Sequence, residues 1–310
     1  MPVYPAYMDS LSIVIPAYNE ENRIKPLLDE LVNFVNGNKL SWDIIVSVDG
    51  NDGTAGILES FAQNYPFVSY VKNGHRDGKG NAIKRAMSIS NSSYILLMDS
   101  DRSVKTEDLL TYLKSVGDYD VLLFDRYSDP LNEIPLLRRI ASRGFNLFVK
   151  VILGIPVNDT QTGYKLIRTD IAKKAFKKVT VTNTFYDVSI LYYIKKMGGK
   201  IAEVSVRYFH DGGSKFSLIP EIFGQGISLL GFRIVHSRFN KYVPKSIKNI
   251  YYRKFRCQDI LFATIAHCAL FSRFSLSTSS ISFIAVLRSY FGLNPRSLLV
   301  FVRSACVNIW

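Results

Sequence analysis

Residues 94–101 read Tyr-Ile-Leu-Leu-Met-Asp-Ser-Asp, an almost wholly apolar run that ends in two aspartates. Similar apolar runs occur at Leu11–Ile15, Ile44–Val48 and Val121–Phe124. Short and nearly continuous runs of this kind are typical of strands that are buried on both faces of a sheet. The sequence therefore predicts four buried strands, each followed by polar residues.

Helical patterns separate these runs. Between the first two, apolar residues recur at the i, i+3, i+4, i+7 spacing of a helix, at Ile24, Leu27, Leu28, Leu31, Val32 and Val35. Asn19 is expected to cap this helix, and Pro26 falls in its early turns. Thr106-Glu107-Asp108 is expected to open another helix, because its acids suit the positive end of the helix dipole.

Strand and helix patterns alternate over residues 11–206. This alternation predicts an α/β domain with a mostly parallel sheet covered by helices. Ligands of such sheets bind beyond the carboxyl ends of the strands. The polar residues that follow each strand are therefore the first candidates for a functional site.

The composition indicates a globular protein with an anionic partner. Of 310 residues, 47% are apolar and 21% are charged, which excludes general disorder. The 39 basic and 26 acidic residues give a formal net charge of +13, which favours nucleic acid, anionic lipid or a phosphorylated substrate. Nucleic acid is the weakest of these, because no zinc-finger, basic-zipper or RNA-stacking pattern occurs. Three cysteines without CxxC spacing indicate neither disulfides nor zinc.

The character of the chain changes after Gly212. Leu218–Val235 is apolar and contains glycines, which predicts a pair of interfacial helices, with Phe216, Phe223 and Phe232 directed inward or toward lipid. The longest later apolar run, Ile260–Phe271, is shorter than the ~20 residues that a membrane span needs. We therefore expect the chain to lie on a membrane surface rather than to cross it.

These patterns predict three regions. Residues 1–210 are expected to form the α/β domain, and residues 211–256 the interfacial helices. Residues 257–310 form an apolar, serine-rich tail, which is either membrane-associated or an extension without order or function. The first ten residues lack a basic region before an apolar run, so no signal peptide is expected, and the cytoplasmic face of a membrane is the predicted location.

Asp99 and Asp101 are the candidate metal ligands. Alternate residues at the end of a strand can direct two carboxylates toward one small volume. Two hard oxygen ligands suit Mg²⁺ or Mn²⁺, whose other positions are filled by water and substrate phosphates. A metal there would neutralise a departing nucleoside diphosphate. A helix-capping or solvated pair of aspartates is the alternative, since this short motif is common by chance.

Two further polar segments follow predicted strands. Pro16–Glu20 follows the first strand and either holds a base or ribose against Tyr18 or forms only a turn. Asp49–Thr54 follows the second and either offers a carboxylate to a nucleobase or forms a turn rich in Asp, Asn and Gly. Three such segments beyond buried strands favour a functional site.

Together these residues resemble glycosyltransferase family 2, the inverting enzymes with one nucleotide-binding α/β domain of the GT-A, Rossmann-like type. Leu11–Glu20 looks like the first strand and donor loop of that family, Val48–Gly50 like its nucleobase segment, and Asp99–Asp101 like its metal motif. The resemblance covers roughly residues 10–235. It narrows to the dolichyl-phosphate glucosyl- and mannosyltransferases through four segments, His75–Ile83, Arg138–Asn146, Asp159–Lys165 and Gly213–Lys215. The chain departs from the family pattern in a lone Asp49, where two adjacent aspartates are usual, and in lacking a clear membrane helix.

The resemblance implies that a hexose passes with inversion from a nucleotide diphosphate sugar to a polyprenyl (dolichyl) phosphate. Lys79-Gly80 and Asp159-Thr-Gln161 favour UDP-glucose over GDP-mannose. The implied donor-binding residues are Pro16, Ala17, Tyr18, Glu20, Asp49, Lys79, Asp99, Ser100 and Gln161. The implied ligands of Mg²⁺ or Mn²⁺ are Asp99 and Asp101, and the implied contacts to the acceptor phosphate are Arg126, Arg138, Arg139, Ser142 and Lys215.

The kind of acceptor decides whether a base is needed. A lipid phosphate, whose second pKa is about 6, is already a dianionic nucleophile at neutral pH, and it needs cations such as Arg126 and Arg139 rather than a base. A sugar hydroxyl would need a carboxylate base, for which Asp187 is the candidate. Asp187 is equally well explained as a structural residue, and Asp187→Asn was the exchange expected to separate these hypotheses. The alternatives are a family-2 enzyme that extends a polysaccharide or lipid-linked oligosaccharide, and a non-catalytic nucleotide-sugar-binding membrane adaptor.

A last apolar set, at residues 145–153, has two interpretations. It comprises Phe145, Phe148, Val149, Val151, Ile152 and Leu153. The set can face a prenyl chain, but about half of it is expected to be core, because one face of a helix must be buried.

Overall fold

The computed structural model describes residues 10–181, 184–209 and 218–242, all within the first of two units into which the chain divides, residues 1–258 and 259–310. Seven strands form one sheet. They are β1 (Leu11–Tyr18), β2 (Trp42–Asp49), β3 (Val68–Asn73), β4 (Tyr94–Leu97), β5 (Val121–Asp125), β6 (Lys165–Arg168) and β7 (Ile201–Ser205). The four strands predicted from apolar runs are confirmed as β1, β2, β4 and β5.

The sheet is mostly parallel, as predicted, with one reversed strand. The strand order is β3-β2-β1-β4-β6-β5-β7, and β6 runs antiparallel to both of its neighbours, β4 and β5. The first residue of β6, Lys165, lies opposite Leu97 of β4 and Leu123 of β5. The start of β6 therefore lies at the same edge of the sheet as the carboxyl ends of the parallel strands.

Eight α-helices connect the strands or follow them in the described parts of the chain. They are α1 (Glu21–Gly37), α2 (Thr54–Asn64), α3 (Lys79–Ile89), α4 (Leu109–Leu113), α5 (Leu136–Leu153), α6 (Thr169–Phe176), α7 (Tyr186–Lys196) and α8 (Leu218–Val235). The 3₁₀ turns Thr106–Asp108, Lys114–Val116 and Arg238–Tyr242 complete the helical structure of these parts. The helix expected at Thr106 is confirmed as a 3₁₀ turn that leads into α4.

The apolar pattern of α1 is confirmed, but its predicted cap is wrong. The six spaced apolar residues are all buried, and Pro26 lies inside the helix. The residue before α1 is Glu20, and its side chain makes no capping hydrogen bond. Asn19 instead has a left-handed backbone, with φ of 53°, and its Oδ1 accepts a hydrogen bond from the backbone N–H of Asn51. Asn19 thus joins the loops after β1 and β2.

Two apolar clusters fill the two faces of the sheet. Ile13 and Ile15 of β1 belong to the cluster that includes residues of α1 and α4, while Val14 belongs to the cluster that includes residues of α3, α5, α6 and α7. Alternate residues of one strand thus enter different cores. This arrangement explains why the strand sequences are continuously apolar rather than alternating.

Leu218–Val235 forms one helix rather than the predicted pair. Phe232 of α8 is directed inward, as one of the two alternatives predicted, and its ring contacts Tyr192 and Phe185 of the α7 region. The side chain of Phe223 and the predicted contacts Phe216 and Lys215 lie outside the described residues. None of the described helices has both the length and the apolar character that crossing a membrane requires. The predictions for residues 257–310 lie outside the described residues.

A buried asparagine joins the loops that follow β5 and β7. The Nδ2 of Asn132 donates to the carbonyl oxygens of Arg126, at 2.9 Å, and Val206, at 2.8 Å, and its Oδ1 accepts from the N–H of Tyr208, at 2.8 Å. One amide thereby satisfies three backbone groups beside Arg126. This junction fixes the path of the chain where β5 ends.

We predict that Asn132→Ala lowers the free energy of unfolding by about 3 kcal/mol, because it leaves buried backbone groups without partners. Urea unfolding followed by circular dichroism measures the change. Asn64→Ala is the matched control: the exposed Asn64 amide makes one bond, to the Ser60 carbonyl within α2, and its loss should cost under about 0.5 kcal/mol. Equal losses in the two variants would contradict the proposed junction.

Candidate active site

The polar segments predicted from the sequence meet at one edge of the sheet. Tyr18, Asp49 and Asp125 end the parallel strands β1, β2 and β5, and Asp99 follows β4 by two residues. The reversed strand β6 brings Lys165 and the preceding loop to the same place. Residues far apart in sequence therefore surround Asp99.

Asp99 is held by a lysine from the amino end of α3. The Nζ of Lys79, the first residue of that helix, lies 2.5 Å from Asp99 Oδ1. Burial would raise the pKa of Asp99, but the charge of Lys79, with those of Lys165 and Arg126, outweighs it and lowers that pKa. Burial would lower the pKa of Lys79, but the negative charge of Asp99 has the larger effect and raises that pKa. Both groups of this pair are therefore held in their charged forms.

Asp101 lies in the electrostatic field of Asp99. Its Oδ1 accepts a hydrogen bond from the N–H of Ser103 at 3.1 Å. Burial, followed by repulsion from the Asp99 carboxylate, raises the pKa of Asp101. The two carboxylates thus lie in the same region. Asp99 is paired with the charge of Lys79, whereas Asp101 has less compensating positive charge.

The loop before β6 forms a wall against Asp99. An ideal Cβ built at Gly163 would overlap Oδ2 of Asp99 and lie 3.2 Å from its Cβ. The buried Asn146 of α5 anchors this loop, since its Oδ1 accepts from the N–H of Thr160, at 3.0 Å, and from the Thr160 hydroxyl, at 2.6 Å. Only a residue without a side chain leaves Asp99 where it is.

Arg126 is engaged by a buried aspartate. Its Nε and Nη2 donate to the two carboxylate oxygens of Asp159, at 2.7 and 2.8 Å, and Asp159 is fully buried. The guanidinium also lies 5.5 Å from the ring centres of Tyr127 and Tyr208. The charge of Arg126 also contributes to the lowered pKa of Asp99.

The other predicted phosphate contacts lie at the start of α5. Arg138 borders a narrow cleft together with Arg126, Tyr127, Ile134 and Tyr208. Arg139 donates from Nη2 to the carbonyl of Asn132 at 3.0 Å, and its buried Nε has no partner among the described residues. Ser142 lies one turn further along the helix, where its carbonyl accepts from Asn146.

Asp187, the candidate base, is paired with a buried lysine. The Nζ of Lys165 lies 2.5 Å from Asp187 Oδ1 and also donates to the carbonyl of Thr162. The side chain of Lys165 is 0% exposed and that of Asp187 is 6% exposed. Burial lowers the pKa of Lys165, and the charge of Asp187 opposes this shift without cancelling it.

Two of the predicted donor contacts have cationic neighbours. Tyr18 is 44% exposed, and the guanidinium of Arg76 lies 4.5 Å from the centre of its ring. Asp49 is buried and forms an ion pair with Arg85 of α3, which also binds Asp77 at 2.7 Å. Burial raises the pKa of Asp49, although Arg85 and the N–H of Asp77 oppose the shift.

The remaining predicted donor contacts lie on β1, in the loop that follows it, and in the loops after β4 and before β6. Pro16 and Ala17 belong to β1, and the N–H of Glu20 donates to the hydroxyl of Thr54 at 2.9 Å. Gln161 is partly exposed, within the loop before β6. A cleft of about 340 Å³ lies beside them, lined by Asn22, Arg23, Pro26, Glu30, Ser100, Asp101, Arg102 and Lys105.

The sequence did not single out several residues that hold the site. Gly163 and Lys165 lie inside a quoted segment, but the contacts that they make depend on the reversal of β6. Arg85 lies on α3 and reaches Asp49, 36 residues earlier. The position of Arg85 two helical turns after Asp77 was the one local signal for it.

Known proteins share both sequence and fold with this chain. The sequence profile of glycosyl transferase family 2 matches residues 12–176. The chain is 31% identical over 223 residues to the dolichyl-phosphate beta-glucosyltransferase of Dictyostelium discoideum, covering 66% of this chain and 68% of that protein. It is 27% identical over 241 residues to the dolichyl-phosphate beta-glucosyltransferase of Homo sapiens, covering 70% and 73%.

Solved structures share the fold. Glucosyl-3-phosphoglycerate synthase from Mycobacterium tuberculosis, in complex with Mn²⁺, UDP-glucose and phosphoglyceric acid, superposes with a TM-score of 0.52 at 16% identity, over 76% of this chain and 81% of that chain.

The chain belongs to glycosyltransferase family 2, and it is a glycosyltransferase with a GT-A-like α/β fold. The family predicted from the motifs is confirmed, and the interpretation as a non-catalytic adaptor is set aside. Relatives that match over two thirds of the chain are named dolichyl-phosphate beta-glucosyltransferases.

We predict that Gly163→Ala lowers the rate of sugar transfer about 100-fold, because the added methyl group displaces the Asp99 carboxylate. Donor turnover and thermal unfolding, measured on the same sample, check the effect. Gly56→Ala is the matched control: Gly56 lies on α2 with no atom within 4 Å of its ideal Cβ, so activity should be unchanged and stability should rise by up to about 1 kcal/mol. Full activity of Gly163→Ala would show that Asp99 does not need this wall.

Proposed function

We propose that this glycosyltransferase transfers a hexose, with inversion, from a nucleotide diphosphate sugar to a polyprenyl phosphate at a membrane surface. UDP-glucose is the favoured donor and GDP-mannose the next. The observation that carries the proposal is the pairing of acids at the site. Four carboxylates of the site each contact a cation: Asp49 contacts Arg85, Asp99 contacts Lys79, Asp159 contacts Arg126 and Asp187 contacts Lys165.

This pairing favours an acceptor that needs no base. A carboxylate that takes a proton from a hydroxyl must be free to accept it, whereas Asp187 already accepts from Lys165 at 2.5 Å. A phosphate monoester with a second pKa of about 6 is ionised at neutral pH and attacks without such help. Dolichyl phosphate in the names of the relatives is an acceptor of this class.

Asp99 and Asp101 fit a divalent cation. They are hard oxygen ligands in one region, and the repulsion that raises the pKa of Asp101 is what a bound cation would relieve. Within residues 10–181, 184–209 and 218–242, no cluster of three or more Asp, Glu, His or Cys residues could hold a metal. In the proposed complex, the donor diphosphate and water would supply further ligands to the ion. When bound, Mg²⁺ or Mn²⁺ would supply Lewis-acid stabilisation of the departing diphosphate.

The cations of the site suggest how it orients the two substrates. Lys79 lies at the amino end of α3, where backbone N–H groups and a positive side chain favour a diphosphate. Arg126 and Arg138 border one narrow cleft, and Arg139 follows Arg138 in the first turn of α5. These arginines would hold the acceptor phosphate against the sugar, which places the two anions on either side of the reacting carbon.

Helix α5 offers a membrane-facing surface next to these arginines. Its exposed apolar residues, each 60–75% exposed, are Leu136, Leu137, Ile140, Leu147, Phe148 and Val151. Exposed basic residues, Arg143 and Lys150, lie on the same helix. The prediction that about half of the apolar set at 145–153 is core agrees with the structure: Phe145 and Val149 are buried, Ile152 and Leu153 are partly buried against the core, and Phe148 and Val151 are exposed. An apolar face flanked by cations is typical of a helix that lies on an anionic bilayer.

We predict that the purified protein, with Mn²⁺ or Mg²⁺ and a short polyprenyl phosphate, moves label from UDP-glucose into the organic phase. Chelation of the metal should abolish transfer, and Asp99→Asn and Asp101→Asn should each lower it by at least about 100-fold. Glu59→Gln, an exposed position on α2, is the charge-matched control and should retain full activity. If label reached the organic phase only from GDP-mannose, the favoured donor would be wrong. Transfer solely to a sugar hydroxyl would overturn the acceptor class.

We predict that replacing Phe148 and Val151 together by serine lowers binding to anionic lipid vesicles by at least about tenfold, through loss of buried apolar area. Vesicle sedimentation measures binding. Activity on a water-soluble acceptor should be unchanged, since neither side chain contributes to the core. Ile89→Ser removes an apolar side chain that is 45% exposed on α3 and should leave vesicle binding unaltered. Unchanged vesicle binding of the double variant would exclude this face.

A further inference from the structure

We infer that Lys165 is a positioning residue: its buried ammonium group joins Asp187 to the loop that holds the Asp99 carboxylate in place. The inference deepens the proposed function and rests on it, since it concerns the same donor and metal site. It gives Asp187 the role of counter-ion to Lys165 rather than of general base.

The contacts of the Lys165 ammonium group are all internal. It lies 2.5 Å from Asp187 Oδ1 on one side and donates to the carbonyl of Thr162 on the other. Its side chain is completely buried. A group without access to solvent cannot contact substrate while these bonds are made, so any effect on the reaction passes through its partners.

The two partners lead to different parts of the site. Thr162 precedes Gly163, where an added Cβ would overlap the Asp99 carboxylate. Asp187 lies in the first turn of α7. Lys165 therefore ties that helix to the wall of the site. The pairing of β6 with β4 adds to this, because Lys165 lies opposite Leu97, two residues before Asp99.

The free-energy cost of burying the Lys165–Asp187 pair also favours a positioning role. An ammonium and a carboxylate lose their hydration when they are buried, and a buried ion pair is often no more stabilising than apolar residues of similar volume. Stability alone is therefore a weak reason for a buried Lys165–Asp187 pair. A fixed orientation of the Thr162–Gly163 loop is a better reason, because ions bound by two carboxylates require their ligands in one place.

This arrangement makes the single exchange Asp187→Asn ambiguous. It removes a candidate base, but it also leaves the buried Lys165 without its counter-ion. Loss of activity would follow from either cause. A variant that removes both charges at once avoids this ambiguity.

The decisive variant is Lys165→Met combined with Asp187→Leu, which replaces the ion pair with apolar side chains. Three quantities are measured: thermal unfolding, binding of Mn²⁺ in the presence of UDP by titration calorimetry, and kcat and KM for transfer. We expect an unfolding temperature close to that of the parent protein. We expect Mn²⁺ binding to weaken at least about tenfold and kcat to fall at least about 100-fold, with the acceptor KM little changed.

The sign of the metal effect separates positioning from simple electrostatics. Loss of Lys165 alone, in Lys165→Met, removes a positive charge near Asp99 and by itself would strengthen cation binding. The double variant removes one charge of each sign, so weaker Mn²⁺ binding in it reports displaced carboxylates. Lys173→Met is the matched control: Lys173 also donates to a backbone carbonyl, that of Ser90 at 2.6 Å, but on α6, and its loss should leave Mn²⁺ binding and kcat unchanged.

Parental Mn²⁺ affinity and kcat in a stable double variant would overturn the inference and reduce the pair to a packing feature. A variant that binds Mn²⁺ and UDP normally but loses kcat would also overturn it, in favour of Asp187 as base. Mn²⁺ and UDP binding needs no acceptor, so this readout tests Lys165 even if no lipid-linked product forms. Failure of the proposed function would appear in the acceptor assay of the parent protein.

Discussion

Charge burial at one edge of the sheet is the constraint on which the site depends. Burying a carboxylate without a partner is costly, and here four acids lie together where the parallel strands end. Each is compensated by a cation, and the four cations come from three elements: α3 supplies Lys79 and Arg85, the loop after β5 supplies Arg126, and β6 supplies Lys165. These ion pairs therefore connect several elements of the fold at the site.

The exception to this compensation is Asp101. Its carboxylate lies in the electrostatic field of Asp99 and is held by hydrogen bonds from Ser103, one of them from the backbone N–H. Asp101 therefore has less compensating positive charge than the paired acids of the site. Among the described residues, Asp101 has no ion-pair partner and the Nε of Arg139 has no hydrogen-bond partner.

Much of this arrangement could be predicted from the sequence, and the failures have physical causes. Strands such as Leu11–Tyr18 were predictable because both faces are buried, which leaves an uninterrupted apolar pattern. Asp99 and Asp101 were predictable because they follow such a strand. The contact of Arg126 with Asp159 was not, since pairing between distant loops leaves no local pattern. Asn19 is of a residue type that often caps helices, but its backbone has a positive φ and its side chain bonds to the loop after β2.

The reversal of β6 has a consequence for how the protein reaches its working form. Tyr94 pairs with Arg168, and the whole of α5 and the strand β5 lie between them in the chain. Contacts of such wide separation close long loops and are slow to form. The pairings of β1 with β2 and of β2 with β3 close shorter loops, so these three strands can associate earlier. The wall at Gly163 and the ammonium group of Lys165 would then reach the site only when β6 pairs with β4 and β5.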